Sequence, residues 1–385
     1  MSPPPEGGGV LAETASPRRG WRDQLLAWRD RLLASPRFQR GAARFPLTRP
    51  IARRRARALF DLTAGFVYSQ VLFACVQLRL FERLSTGPVA VAVLAAEWQL
   101  PPEGAARLLA AAESLGLVES RGEARYGLGE LGAAMLGNPA IAAMVAHHER
   151  LYQDLNDPVA LLRRRGGTRL AAFWPYAGSA RASTGAGAVA AYSDLMAASQ
   201  HLIADDILAA FSFRHCRHLL DIGGGDGSFA AAVLRRWPGM EATVLDLGPV
   251  AERANAHFAR SGLNDRARAV AGDMLGAALP QGADIASLVR VLHDHDDEQV
   301  LALLRAARAA LPPNGRLLIA EPMAATPGAE PAGAAYFGMY LWAMGSGRPR
   351  TAAELAAMAR RAGFTRCREL GTRQPLLVRV LVVGP

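Results

Sequence analysis

The second half of the chain alternates between two hydrophobic periods. Five short apolar runs are typical of buried strands: Leu219–Leu220, Glu241–Asp246, Arg268–Asp273, Ala283–Val291 and Arg316–Ala320. Segments with helical periodicity separate or follow them: Phe229–Leu234, Val250–Ser261, Asp297–Leu311 and Thr351–Gly363. Strands that alternate with helices predict an α/β fold with a doubly wound, mostly parallel, Rossmann-like sheet.

The pattern between residues 59 and 136 predicts a separate, mainly helical domain. Its segments Val93–Trp98, Pro102–Leu115 and Tyr126–Leu128 follow the order of a winged helix, namely helix, turn, helix and wing. Such a domain can bind DNA, but the second helix carries a single basic residue, Arg107, and a helix in the major groove needs more cations to neutralise phosphates. Dimerisation is therefore favoured over nucleic-acid binding.

A basic arm opens the chain. Trp21, Leu25, Trp28 and Leu32 recur at helical spacing and form one apolar stripe. Thirteen arginines and two acids lie between Pro17 and Arg57, a net charge of +11, whereas the whole chain carries +10. Arginine around such a stripe is typical of a helix in a membrane interface. Packing on a neighbouring subunit is an equally good interpretation, and nucleic-acid binding comes third because the arm has no reader module.

The length of 385 residues, 51% of them hydrophobic, allows two domains with a large core. We predict a basic amphipathic arm over residues 1–57 that begins disordered, a winged-helix-like dimerisation domain over 58–205, and a cofactor-binding domain over 206–385. Three widely spaced cysteines indicate reduced thiols in a cytoplasmic protein. Because no C-x-x-C or His-x-x-His spacing is present, no metal is expected.

The longest uncharged run, Leu62–Leu78, includes Ser69, Gln70 and Gln77. A membrane-spanning helix needs about 20 predominantly apolar residues. The run is too short and too polar for that, so the sequence predicts a soluble or peripheral protein.

The turn Asp221-Ile-Gly-Gly-Gly-Asp-Gly227 joins the first strand to the first helix. Gly223 and Gly225 allow the backbone to turn sharply and approach a ligand that the helix N-terminus faces. Ser228 stands where a dinucleotide fingerprint requires glycine or alanine. The acid Asp221 suits a cationic ligand better than a pyrophosphate. S-adenosylmethionine, with its sulfonium and ammonium groups, fits this pattern, and a purely structural turn is the alternative.

Two further strands also end in acids. Asp246 follows the second strand at the distance where such folds bind ribose hydroxyls, and Asp273 follows the third. Any one of these acids alone reads as an ordinary surface residue. Three in register at the edge where parallel strands bind ligands favour a cofactor site.

The motif Leu288-Val-Arg-Val-Leu-His-Asp-His295 places His293 at the end of the fourth strand, on the same edge. An imidazole there can accept the proton of a substrate hydroxyl during attack on a methyl group. The alternative is a hydrogen-bonded loop histidine. The position of His293 at the edge where the cofactor is expected favours a general base over a loop histidine.

The motifs DIGGGDG, LDLG, GDM, RVLHDH and LLIAEP resemble the S-adenosylmethionine-dependent O-methyltransferases that include plant phenolic and acetylserotonin enzymes. The run from Arg44 to Leu84 and the later FWPYAG are similar to the carotenoid 1-hydroxy O-methyltransferases of purple phototrophic bacteria. The resemblance implies methylation of the tertiary hydroxyl of demethylspheroidene or hydroxyneurosporene. It also implies a homodimer formed through the N-terminal domain. Because a carotenoid partitions into the bilayer, we expect a cytoplasmic enzyme whose basic arm rests on the membrane surface, with packing of the arm on a partner subunit as the alternative.

The resemblance also assigns roles to single residues. His293 matches the catalytic base and Glu321 the carboxylate that orients it. Arg290 matches a cofactor-contacting arginine, and Asp246, followed by Leu247 in LDLG, matches the ribose-binding acid.

Further matches surround the methyl donor. Asp273 and Met274 match the pair that holds the adenine. Tyr192 and Met196 resemble the aromatic residue and the methionine that pack near the transferred methyl group.

Two positions depart from the motifs of the family, and two others match its substrate pocket. Many relatives have tryptophan at the position of His295 and a second glutamate at that of Pro349, which leaves Glu321 alone to orient the base. Tyr340 and Met344 match the substrate pocket and suit a long polyene, although ordinary core packing explains them nearly as well.

Other activities fit the same residues. One is O- or C-methylation of another small apolar or aromatic molecule, such as a bacteriochlorophyll pigment, a polyketide or a phenol. Another is a winged-helix regulator that binds S-adenosylmethionine as an effector. His293 together with Glu321 favours an enzyme over a regulator.

Overall fold

The computed structural model of the protein describes residues 20–174, 200, 202–276 and 278–385. The predicted disorder at the start of the chain and the predicted roles of Tyr192 and Met196 lie outside the described residues. The chain divides into two units, Met1–Val71 and Leu72–Pro385.

The described part of the first unit is helical. It holds α1 (Trp21–Ala34), α2 (Pro36–Arg44) and most of α3 (Arg49–Gln77). The predicted end of α1 at Ser35-Pro36 is confirmed, because Pro36 is the first residue of α2 and the Ser35 side chain accepts a hydrogen bond from the Phe38 amide. The predicted domain boundary after residue 57 lies inside α3 and stays a prediction.

Helix α3 is the one helix in the described part of the chain that is long and apolar enough to cross a membrane, by length and composition only. The prediction against a span considered the uncharged run alone, and the 29-residue helix extends well ahead of that run. The last part of α3 belongs to the second unit. There Cys75 is fully buried and the ring of Phe73 packs edge-on against Tyr152 at 5.7 Å.

The second unit begins with helices and a small antiparallel sheet of order β1-β3-β2. The elements are α4 (Leu80–Leu84), β1 (Val89–Ala90), α5 (Val91–Glu97), α6 (Pro102–Ser114), β2 (Val118–Ser120), β3 (Arg125–Leu128), α7 (Glu130–Leu136), α8 (Pro139–Asp154), α9 (Pro158–Arg163) and α10 (Arg169–Phe173). Helices α5 and α6 followed by the β2–β3 hairpin form the predicted winged helix.

The remainder of this unit is a seven-stranded sheet with helices on both faces. The elements are α11 (202–210), β4 (His218–Ile222), α12 (Ser228–Arg236), β5 (Glu241–Asp246), α13 (Gly248–Arg260), β6 (Ala267–Ala271), β7 (Ile285–Val289), a 3₁₀ turn (Leu292–Asp294), α14 (Asp297–Ala310), β8 (Arg316–Glu321), a π-helix (Ala332–Phe337), α15 (Gly338–Met344), α16 (Ala352–Arg361), β9 (Arg366–Leu370) and β10 (Arg379–Gly384).

The strand order is β6-β5-β4-β7-β8-β10-β9. Strands β4 to β8 are parallel, and β10 runs antiparallel to both of its neighbours. The predicted doubly wound α/β fold is therefore confirmed. Successive side chains of a strand point to opposite faces of the sheet. Leu219 therefore packs in one apolar cluster with Phe229, while Leu220 packs in the other with Phe364.

The order of the strands reverses beside β4, since β5 lies on one side of it and β7 on the other. In open parallel sheets the crevice at the carboxyl ends of such strands binds ligands. The glycine turn follows β4 and the His293 loop follows β7, so both meet at this crevice.

Candidate active site

The turn after β4 adopts a backbone that its glycines permit. Gly223, Gly225 and Gly227 have φ values of 67°, 63° and 77°, in the left-handed region that side chains rarely occupy. A Cβ at Gly227 would clash with the ring of Phe258, whereas a Cβ at Gly225 would meet no heavy atom within 4 Å. The turn is thus packed against the protein on one side and leaves space for a ligand beside Gly225.

Asp221 lies within β4 beneath this turn, almost completely buried. Its Oδ1 accepts a hydrogen bond from the hydroxyl of Ser287 at 2.6 Å, and its Oδ2 has no hydrogen-bond partner in the described part of the chain. Burial raises the pKa of this carboxyl to about 7. A nearby cation would stabilise its charged form, so the group fits the cationic cofactor expected here.

Asp246 at the end of β5 organises the same crevice. Its Oδ2 accepts from the Gly225 amide and its Oδ1 from the Leu247 amide, both at 2.8 Å. Burial raises the pKa of this carboxyl, although both hydrogen bonds oppose that rise. Each oxygen keeps a second lone pair for a ribose hydroxyl.

Asp273 and Met274 follow β6. The Asp273 Oδ1 accepts from the Leu275 amide at 2.9 Å. The sulfur of Met274 lies near the turn, 3.5 Å from where a Cβ on Gly223 would stand. Both residues therefore lie beside the cradle where the adenine is expected.

His293 lies in the 3₁₀ turn beyond β7 and is buried. Its Nδ1 is 2.5 Å from Oε2 of Glu321, which ends β8. The other oxygen of Glu321 accepts from the amides of Val291 and Leu292, at 3.0 and 2.6 Å. The carboxylate thus contacts both the ring and the backbone that carries it, which is the geometry that the predicted orienting role requires.

A second acid contacts His293. Oδ1 of Asp294 lies 3.2 Å from Nε2 of His293, on the side opposite Glu321. Burial, the largest single influence, lowers the pKa of His293, but Asp294 and Glu321 together outweigh it and raise that pKa above its ordinary value. Asp294 follows His293 in the sequence, but nothing in the sequence distinguished it from the other acids of the loop as a residue that contacts the imidazole.

Arg290 is the first residue after β7 and has φ of 58°, uncommon for a residue with a side chain. Its amide donates to the carbonyl of Ala320 at 2.8 Å and extends the pairing between β7 and β8. A strained residue in a site marks a constraint that the surrounding structure maintains. Here the constraint turns the chain toward His293.

An arginine that no sequence motif singled out supports the His293 loop. Arg350 is 3% exposed, and its guanidinium donates to the carbonyls of Leu292 and His295, both at 2.7 Å, and to Asp297. We refer to these contacts of Arg350 as the arginine clamp. Its neighbour Pro349 carries no side-chain polar group. Arg350 therefore holds the loop through two main-chain carbonyls and Asp297, while Glu321 contacts the His293 ring.

Tyr340 and Met344 lie in a buried apolar cluster with Trp174. The Tyr340 hydroxyl is 2.7 Å from Nε2 of His147 and accepts from Trp174 Nε1 at 3.1 Å. Burial lowers the pKa of His147 to about 4 and keeps its ring neutral. The substrate-pocket role of Tyr340 and Met344 stays a prediction.

The described residues contain no group of three or more His, Cys, Asp and Glu side chains that could hold a metal ion. Three features stand at this crevice: a carboxylate oxygen of Asp221 that has no partner among the described residues, an acceptor for ribose hydroxyls in Asp246, and space beside Gly225 at a helix N-terminus. These features fit S-adenosylmethionine. His293, held by Glu321, then supplies a base at the edge of the same crevice.

Comparisons with known proteins agree with this geometry. An O-methyltransferase domain matches residues 152–365, and an O-methyltransferase dimerisation domain matches residues 60–138. The demethylspheroidene O-methyltransferase of Cereibacter sphaeroides is 44% identical, over 87% of this chain and 88% of that protein. An acetylserotonin O-methyltransferase of Mus musculus molossinus is 35% identical, over 83% and 86%.

Solved structures show the same architecture. The S-adenosylhomocysteine-bound form of a methyltransferase in calicheamicin biosynthesis is 26% identical, with a TM-score of 0.72 over 86% of this chain and 98% of that one. The dimerisation domain supports a homodimer. The predicted family and cofactor are therefore confirmed, and the chain belongs to the S-adenosylmethionine-dependent O-methyltransferases.

Proposed function

We propose that this enzyme methylates the tertiary C1 hydroxyl of an acyclic carotenoid of the demethylspheroidene or hydroxyneurosporene type. The observation that carries the proposal is 44% identity, over most of both chains, to a demethylspheroidene O-methyltransferase. The buried pair of His293 and Glu321 supplies the base that an alcohol acceptor requires.

The cofactor and the residues of the site have separate roles in methyl transfer and proton removal. S-adenosylmethionine, when bound, supplies a methyl group activated by its positive sulfur. With Nδ1–H donating to Glu321, His293 presents Nε2 as the atom that receives the hydroxyl proton. A free imidazole, with a pKa of about 6.5, is far too weak to ionise a tertiary alcohol beforehand. Proton removal therefore accompanies methyl transfer, and Asp294 stabilises the imidazolium that results.

Positioning carries the larger share of the rate. Holding two reactants in alignment contributes roughly 7 to 11 kcal/mol, and a well-placed base adds about 10²- to 10⁴-fold. The bonds of Glu321 to the His293 ring and to the Leu292 amide serve the second of these effects, because they fix the position of the base.

Replacing Asp294 by asparagine should move the acid limb of the kcat/KM profile to lower pH. His293 accepts a proton only when neutral, so activity falls as the pH drops through its raised pKa. Removing the Asp294 charge destabilises the imidazolium and lowers that pKa. The measurement is kcat/KM against pH, with the exposed Asp265→Asn as the matched control. An acid limb that does not move would assign the titration to another group.

Product identification tests the substrate. The enzyme is incubated with methyl-labelled S-adenosylmethionine and a pigment extract that contains acyclic 1-hydroxy carotenoids, and labelled products are analysed by mass spectrometry. We expect the label in a methyl ether at the tertiary carbon, and none with His293→Ala. Label in a bacteriochlorophyll pigment, or in no carotenoid, would overturn the proposal.

We further propose that the enzyme is cytoplasmic and rests on the surface of the (intracytoplasmic) membrane, where its apolar substrate partitions. Support comes from the first unit, in which Trp21, Leu25 and Trp28 are exposed on α1. The start of α3 adds a cluster of arginines: Arg49, Arg53, Arg54, Arg55 and Arg57. Apolar side chains flanked by arginine favour an interface with anionic lipid headgroups.

Surface contact is the version we favour over a span, because the end of α3 packs in the second unit through Cys75 and Phe73. Trp21→Ala with Trp28→Ala should weaken sedimentation with phosphatidylglycerol vesicles at least about tenfold, since burying one such side chain contributes about 1.5–3 kcal/mol. Exposed Leu162→Ala serves as control. Equal binding by the double variant, and by a protein that lacks residues 1–48, would contradict the proposal.

A further inference from the structure

A groove in the second unit lies beside the site and is not used by the chemistry described so far. Leu151 of α8 and Leu155, which directly follows that helix, form one wall, and the π-helix with the start of α15 forms the other through Ala332, Ala335 and Met339. The cavity has a volume of about 440 Å³. We refer to it as the apolar groove.

The volume of the groove is that of a small-molecule binding site and is far larger than a single water molecule needs. Small-molecule pockets in proteins span about 300 to 1,000 Å³. Ala335 on its wall is exposed, so the groove is open to the surface. An open groove can hold a section of a long chain while the rest of that chain leaves the protein.

Two ring contacts connect the groove to the base. Tyr336 also lines the groove, and its ring packs edge-on against Phe337 with centroids 4.9 Å apart. The ring of Phe337 in turn packs edge-on against His293 at 6.2 Å. Both aromatic residues end the π-helix, a rare conformation that occurs frequently at functional sites.

The polar atom on this wall is already engaged. The Tyr336 hydroxyl is 2.7 Å from Nε2 of His148. Burial raises the pKa of Tyr336 to about 12 and lowers that of His148, so both groups are neutral near pH 7. An uncharged wall with its hydroxyl paired suits a hydrocarbon better than an acceptor with an acidic group.

We infer that the apolar groove binds the polyene chain of the acceptor next to its hydroxyl and selects long acyclic alcohols over compact aromatic ones. The inference rests on the proposed function and adds the residues that would recognise the substrate. The acceptor hydroxyl then lies at His293 and the chain runs past Phe337 and Tyr336 into the groove.

Filling the groove tests the inference. Ala335→Trp adds bulk inside it, and Ala334→Trp adds the same bulk to an exposed neighbour on the same π-helix that does not line it. Leu155→Phe narrows the groove from the opposite wall, just beyond the end of α8, and is the second variant if Ala335→Trp folds poorly. Folding is checked by thermal melting, and S-adenosylmethionine binding by calorimetry.

The readouts are co-elution of a 1-hydroxy acyclic carotenoid with the protein in gel filtration, followed by its visible absorbance, and KM for the same carotenoid in micelles. We expect Ala335→Trp and Leu155→Phe to lose co-elution and to raise KM at least about tenfold, the equivalent of about 1.4 kcal/mol. Cofactor affinity should stay unchanged, and Ala334→Trp should behave as the wild type.

Two failures can be told apart. If the wild type neither binds nor methylates the carotenoid, the proposed function itself is wrong. If the wild type does both while both groove variants keep its KM and its co-elution, the function stands and the assignment of the groove is overturned.

Discussion

Replacing His293 by alanine should leave S-adenosylmethionine binding intact and lower turnover at least about a hundredfold, because a positioned general base contributes about 10²- to 10⁴-fold. The imidazole contacts Glu321 and Asp294, whereas Asp221 and Asp246, which are predicted to bind the cofactor, lie on other strands of the crevice. The measurement pairs single-turnover kinetics with the cofactor dissociation constant.

The alanine variant leaves the buried Glu321 carboxylate without one of its partners. His293→Asn is therefore a useful companion, since its amide can still donate toward Glu321 but is no base. His215→Ala, an exposed histidine ahead of β4, is the matched control. Unchanged turnover in both His293 variants would remove this residue as the base and leave positioning alone to explain the rate.

Replacing Asp246 by alanine should weaken S-adenosylmethionine binding by about ten- to a hundredfold, because a hydrogen bond to a charged group contributes about 1.5–3 kcal/mol. The carboxylate also holds the amides of Gly225 and Leu247, so the loss combines a missing ribose acceptor with a loosened glycine turn. Calorimetric titration with S-adenosylmethionine gives the affinity directly.

Asp246→Asn separates the two effects, because one oxygen remains to accept from a backbone amide. Its binding should fall between those of the wild type and the alanine variant. The control is Asp265→Ala. Asp265 is exposed and lies just ahead of β6, at the amino ends of the parallel strands and therefore away from the crevice at their carboxyl ends. Wild-type affinity in the Asp246 variants would mean that the ribose is bound elsewhere.

Much of the fold follows from the sequence because the strands of a doubly wound sheet are short, apolar and separated by amphipathic helices. The strand Glu241–Asp246 has the predicted bounds. Other boundaries shift by a few residues, as where β7 ends at Val289 and the chain turns at Arg290. Antiparallel β9 and β10 were not predicted, because their short runs near the C-terminus lack a chemical motif that marks them.

Asp246 and His293 stood out in the sequence because each is a chemically active residue at a strand end, whereas Glu321 was assigned by the resemblance. The structure brings all three to one edge of the sheet, and their roles stay predictions. Arg350 was missed because a buried arginine is recognised by its acceptors, and two of these are main-chain carbonyls that no residue letter reveals. Tyr336 was not singled out, because the resemblance assigned the substrate pocket to Tyr340 and Met344 of the following helix. Periodicity does not distinguish the π-helix that carries Tyr336 from an α-helix, so it drew no attention to this residue either.

The arginine clamp has a consequence for how this enzyme can change. Arg350 holds the loop by the carbonyls of Leu292 and His295, and Glu321 reaches the amides of Val291 and Leu292. Every one of these bonds is made to groups that all amino acids except proline possess. These main-chain bonds that hold the loop are therefore independent of the side chain at position 293. Evolution or design can replace the proton acceptor there, and with it the reaction, without rebuilding the loop.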